Sequence, residues 1–284
     1  LSDFSFCESK PIIRWNIGLV SHIGYDCLQQ AYRNLCATYD DRVEYTVTLN
    51  NPIRTSIIGE MEADGVKIFR VTDTHFDLGA FGENGRAAGE QKSGWVFAPF
   101  QLDTSRRQLI LDNDILFKQE VPEITRFLFG PDETFLFKEH WPYLDDWPDK
   151  SEKRREQLRR SSYFRQMAKV LPKDITPIES SVVGIPSGEQ LLTLRAALEG
   201  YDVREYMRGA KGWEQAFLAL LYESVRERAA LISYKVIPVY PRLGFQVWPE
   251  TCGIHLSGIN QLLFGWTLMH YKEVKRKWEV NETY

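Results

Sequence analysis

Cysteine is scarce in this chain. Four occur in 284 residues, Cys7, Cys27, Cys36 and Cys252, and no two stand in CxxC spacing. That excludes a disulfide-stapled scaffold and a zinc module built from paired cysteines, and it fits a reducing compartment. Long apolar runs are missing as well. No stretch approaches the ~20 consecutive apolar residues of a bilayer-crossing helix, and the N-terminus lacks the basic-then-apolar order of a signal peptide. The expectation is therefore a cytoplasmic protein, with the proviso that a chain opening on Leu1 leaves room for a trimmed segment. A basic surplus is absent too. The net charge of -4 argues against a general nucleic-acid binder, because phosphate backbones are held by an excess of Lys and Arg. With no internal repeat, no low-complexity tract and no Pro/Gly linker, the chain reads as a single domain over 1–284.

What is present is ample core material, 43% hydrophobic residues, arranged in alternating periods. "IIRWNIGLV" (Ile12 to Val20) is rich in strand formers. "YDCLQQAYRNLCATY" (Tyr25 to Tyr39) places Leu28, Ala31, Tyr32, Leu35 and Cys36 at helical intervals, and "VEYTVTLNN" (Val43 to Asn51) returns to alternation. This is a β-α-β unit. "GVKIFRVTD" (Gly65 to Asp73) and "RQLILDND" supply further strands at crossover-sized separations, which predicts an α/β fold with a mostly parallel central sheet. Ligands on such sheets collect at the carboxyl ends of the strands. The second half begins differently, with a charged, Trp- and Pro-containing segment near 143–167. A strand "ESSVVGIP" (Glu179 to Pro186) follows, then a helix around Gly188 to Leu198. A long helix is predicted from Gly212 to Leu231, with Phe217, Leu220, Leu221 and Val225 along one side.

The stretch "LILDNDILF" poses a chemical question. Two carboxylates inside an apolar strand would cost several kcal/mol each unless paired or bound to a metal. At a strand end, residues i and i+2 point to the same side, so Asp112 and Asp114 can converge on one divalent cation, which can in turn hold a diphosphate. The competing reading stops the strand at Leu111 and makes the DND a solvated turn, with Asp112 as a helix cap.

A hydrophobic strand ending in DxD and continuing in hydrophobics, about a hundred residues after an opening β-α-β unit, resembles the nucleotide-sugar glycosyltransferases of the GT-A fold. "GWVFAPFQL" (Gly94 to Leu102) resembles the helix under the DxD strand of that family, and "ESSVVGIPSG" the strand that walls the acceptor side. "GIHLSG" (Gly253 to Gly258) is similar to the late His segment of metal-dependent members. The chain departs from the glycogenin-like His-x-x-Gly-x-x-Lys ending, since Gly258 is followed by "INQLL". The resemblance implies a nucleotide-sugar-binding half over 1–118 and an acceptor-binding half over 119–284. It implies Asp112, Asp114 and His255 as ligands of Mn2+ or Mg2+, and transfer of a sugar, first of all from a UDP-sugar, to a glycan, glycolipid or protein acceptor. The cation would stabilise the charge that builds on the leaving diphosphate. Glu214 and Gln215, opening the long helix, resemble the acidic or amide residues that face the reacting sugar; an acid in a first helical turn also complements the macrodipole. Glu179 is a weaker acidic candidate.

Other residues are read from position. Arg86, in the Gly-rich stretch before the DxD strand, suits a diphosphate, because a guanidinium matches phosphate geometry. Ser21 and Asn50 follow strands where a nucleoside would lie, and turn formation explains them equally well. The basic segment 153–160 reads as a solvated helix or as a peripheral contact with an anionic membrane surface. Two other functions compete. A haloacid dehalogenase-type phosphohydrolase would use Asp112 as nucleophile and Asp114 as acid/base, although that motif belongs on a first strand. A non-catalytic nucleotide-sugar-binding protein would keep the fold without turnover.

Overall fold

Among the described residues, nine short strands carry the architecture. The computed structural model describes residues 10–17, 33–49, 59–60, 62–70, 106–112, 115–140, 176, 178–186, 213–239 and 248–255. Strands β1 (Ile12–Ile17), β2 (Glu44–Leu49), β3 (Lys67–Arg70) and β4 (Gln108–Leu111) run parallel to one another, β1 lying between β2 and β4 and β2 between β1 and β3. The crossover between β1 and β2 contains the helical residues 33–39. Their apolar members Leu35 and Tyr39 share the core with Ile13, Leu109 and Leu111. The expected β-α-β unit is therefore present.

Past β4 the sheet changes sense. Strand β7 (Ile178–Ile185) pairs antiparallel with β4 on one side and with β6 (Phe135–Glu139) on the other, and β8 (Ala229–Ile232) closes the sheet parallel to β6. The seven-stranded order is β3-β2-β1-β4-β7-β6-β8, mostly parallel as the sequence predicts. All eight residues of β7 are buried, the signature of a central strand covered on both faces. Within it, a Cβ at Gly184 would meet Leu136 Cβ at 2.6 Å and Phe127 Cζ at 2.9 Å, so only glycine allows that approach.

Among the described residues, two helices pack on this second part. In α1 (Pro122–Phe129), Pro122 opens the first turn, where its missing N–H is no loss. Ile124, Phe127 and Leu128, spaced i, i+3, i+4, are the buried face. Helix α2 (Trp213–Val225) lies on β7 and buries Leu218, Ala219, Leu221, Tyr222 and Val225.

The predicted helix from Gly212 to Leu231 is corrected here. The helix ends at Val225, a 3-10 turn covers Arg226–Arg228, and Ala229–Ile232 form β8 beside β6. Ala and Leu favour helix in isolation, but pairing with β6 outweighs that weak preference.

Candidate active site

Strand β4 stops at Leu111, and the chain resumes as β5 (Ile115–Phe117) in a different sheet, paired antiparallel with β9 (Gly253–His255). The seam between the large sheet and a two-stranded one thus falls between Leu111 and Ile115, with Asp112 at its edge. The carboxyl end of β4 is anchored to β7 by Asp112 N–H donating to Ser181 O at 2.9 Å. Strand β5 is clamped from its other side by Asn34. Its side-chain amide donates to Phe117 O and its carbonyl accepts from Phe117 N, both at 2.7 Å, imitating a neighbouring strand. Ile115 lies opposite His255 in the β5–β9 register, so the pairing carries the histidine back to the end of β4. Glycine at 253 is needed for it: a Cβ there would stand 2.9 Å from Leu116 O.

Among the described residues, four charged or titratable side chains meet at this seam. His255 Nε2 lies 3.5 Å from Asp112 Oδ2, and His255 Nδ1 lies 2.7 Å from Glu179 Oε1. The other oxygen of Glu179 pairs with Lys138 Nζ. Lys138, Glu179 and His255 are buried, whereas the Asp112 side chain keeps 29% of its surface exposed, so the row runs from the interior to an open end at Asp112. Burial presses the Lys138 ammonium below its ordinary value, against the pull of the Asp112 and Glu139 charges. The pairing of Lys138 with Glu179 depends on an irregularity in the sheet. The β6–β7 register shifts between Phe137, opposite Val183, and Lys138, opposite Glu179. Such bulges re-aim side chains at functional rims.

An ionised carboxylate only accepts hydrogen bonds, so with Glu179 ionised Nδ1 would be the donor to it, and a neutral imidazole would then turn its Nε2 lone pair toward the Asp112 oxygen. Two such acceptors face each other comfortably only with a proton or a cation between them. Their 3.5 Å separation is long for a hydrogen bond but suits two ligands of one ion, which stand roughly 3 to 3.5 Å apart at metal–ligand distances near 2.1 Å. One carboxylate and one imidazole fit Mn2+ better than Ca2+. Among the described residues no cluster of three or more His, Cys, Asp and Glu is placed to hold a metal. Asp114 lies outside them.

No family model and no curated protein sequence matches the chain. Solved structures do. The galactosyltransferase LgtC, crystallised with donor and acceptor sugar analogues, aligns with a TM-score of 0.57 at 13% identity, over 87% of each chain. Mouse xyloside xylosyltransferase 1 aligns at 0.51 and 12%, over 87% of this chain and 97% of that one. The bifunctional glycosyltransferase WbbM aligns at 0.52 and 12%, over 89% of this chain and 46% of its own. The fold is of the GT-A type. In this GT-A chain the seam described above lies at the carboxyl end of a parallel strand, where ligands of open α/β sheets bind.

Of the residues singled out from sequence, the structure brings together Asp112 and His255. Glu214 and Gln215 are in the first turn of α2, their side chains outside the described set, while Ser21, Asn50, Arg86, Asp114 and the basic segment 153–160 lie wholly outside it. Among the described residues no helix is long and apolar enough to cross a membrane. Lys138 escaped sequence reasoning, and Glu179 was considered only as an acid facing substrate. The signal for both is the one that exposes Asp112: charge set against an apolar run, "FLFKEH" and "PIESSVV".

Proposed function

We propose that the chain is a metal-dependent glycosyltransferase that moves a sugar from a nucleotide-sugar donor, first of all a UDP-sugar, to a saccharide, lipid-linked or protein acceptor. The observation that carries this reading is the facing of Asp112 Oδ2 and His255 Nε2 across 3.5 Å, with the far nitrogen of the imidazole tied to Glu179. Its setting supports it, since the GT-A fold is shared with a galactosyltransferase crystallised with donor and acceptor sugar analogues. Asp112 and His255, with Asp114, would hold Mn2+ or Mg2+. The bound ion supplies Lewis acidity toward the diphosphate that leaves the sugar. The residues themselves do the rest. Asp112 supplies negative charge at the open end of the row, His255 is held in one orientation, and the buried pair behind it keeps water from the imidazole's inner edge. Arg86 is assigned to the diphosphate, Ser21 and Asn50 to the nucleoside, and Glu214 or Gln215 to the neighbourhood of the reacting sugar.

The test is calorimetric titration of UDP-, GDP- and CMP-sugars, with Mn2+ and with chelator, into wild type and the Asp112→Asn and Asp114→Asn variants. Metal-dependent binding of one nucleotide class, weakened at least a hundredfold in both variants, is the expected result. No nucleotide binding, together with hydrolysis of p-nitrophenyl phosphate, would replace the transferase with the phosphohydrolase. Tight nucleotide-sugar binding without turnover over a panel of acceptors would favour a binding protein.

A further inference from the structure

Behind the metal-facing edge of His255 lies a pair of buried charges that binding a cation does not by itself require. We infer that Glu179, held by Lys138, is the positioning residue that keeps His255 in the Nδ1–H tautomer, with Nε2 turned toward Asp112, before any ligand arrives. The inference rests on the metal reading above and adds the device that prepares the site.

The argument is one of elimination by chemistry. Glu179 has one oxygen on His255 Nδ1 at 2.7 Å and the other on Lys138 Nζ. A carboxylate beside an ammonium stays ionised, and an ionised carboxylate cannot donate, so the ring proton has to sit on Nδ1. A buried ion pair is a poor way to gain stability, because apolar residues of similar size often do as well or better. Its presence directly behind an imidazole is explained by what it does to that ring. Carboxylate partners of this kind fix the tautomer and raise the basicity of metal-binding histidines. The backbone is arranged for it. The register shift in β6–β7 brings Lys138 opposite Glu179, and His255 is pinned by its own N–H donating to Pro238 O at 2.9 Å and by pairing with Ile115. Ring position is thereby set by the backbone, and ring protonation by Glu179.

The test uses the full chain and Mn2+ alone as probe. Imidazole 15N NMR on metal-free wild type at pH 8, with His255 assigned by comparison with His255→Gln, should show a protonated Nδ1 and a lone pair on Nε2. A resonance pattern with the proton on Nε2 would overturn the inference without any further variant. The paired substitution Lys138→Met with Glu179→Leu removes both charges at similar volume. It should melt cooperatively, shift His255 toward the Nε2–H form, and weaken Mn2+ binding, read by the EPR signal of free Mn2+, about ten- to a hundredfold. Should that pair not fold, Glu179→Gln keeps the shape, and its new amide should weaken Mn2+ binding in the same direction. Unchanged tautomer and unchanged Mn2+ affinity in a folded variant would sink the proposal. The Nδ1–H tautomer in a wild type with no affinity for Mn2+ would overturn the metal reading while supporting the role of Glu179.

Discussion

The parallel strands carry a group of charges at each end, and the two groups differ in cost. At the amino ends, Glu44 opens β2, Lys67 opens β3 and Arg106 precedes β4. Lys67 Nζ and Arg106 Nη1 reach Glu44 Oε2 at 2.7 and 3.0 Å. The Lys67 side chain is 65% exposed, and those of Arg106 and Glu44 keep 15% and 20%, so water reaches all three charges. At the carboxyl ends, the Lys138 and Glu179 side chains are 0% and 6% exposed, and among the described residues they are compensated by each other, by His255 and by the nearby charges of Asp112 and Glu139. Exposed pairs tie strand ends together at little cost and with little gain. Buried ones cost enough that a chemical use is the better explanation.

The comparison can be broken most forcefully at Lys138. Lys138→Met leaves Glu179 buried without its ammonium and should lower unfolding free energy by about 3 to 5 kcal/mol in urea. A loss below about 1 kcal/mol would place the buried pair in the same class as the exposed one.

Alkaline pH probes a third kind of site, buried but uncharged. Burial, against the opposing bond from the Val121 N–H, pushes the Tyr39 phenol up to about 12 from 10.0. The folded state therefore retains this proton after the unfolded state has lost it. The contribution is whole below pH 10 and is lost as pH rises to about 12, amounting to about 3 kcal/mol. Urea melts at pH 9 and pH 11.5 should show the fall in wild type and a smaller one in Tyr39→Phe; equal falls would remove Tyr39 from the account.

The smallest effect belongs to the amino ends. Although burial opposes it, bonds from Arg106 and Lys67 hold the Glu44 carboxyl below its ordinary value, so the pair's stabilisation is lost only as pH falls through that lowered pKa. Glu44→Gln at pH 7 should cost under about 1 kcal/mol, and less still in high salt. A loss rivalling that of Lys138→Met would erase the distinction between the two ends.

How much of this was legible in the sequence follows from the range of each interaction. The strands of the opening β-α-β unit and the break at Asp112 are written in local alternation and in one apolar run, and they could be read directly. His255 entered only through a resemblance, because one histidine after an apolar pair says nothing of its partner. The pairing of Lys138 with Glu179 spans 41 positions and that of Glu179 with His255 spans 76. No local period reports a contact of that reach, and the register shift that creates the first is a property of two strands together. The helix predicted past Val225 failed for the same reason, since β8 is specified by its neighbour β6 rather than by its own four residues.

The seam between the two sheets also bears on the order in which the molecule matures. Lys138, Glu179 and His255 reach the end of β4 from three other strands, and β9 is the last strand described in the chain. Closing such long loops has to precede the contacts that reward it. A nascent chain that has formed β1 through β4 therefore carries the acidic half of the site without the histidine. The meeting of Asp112 with His255 would then report that the C-terminal part has docked, so that a chain still folding lacks the junction between the two sheets.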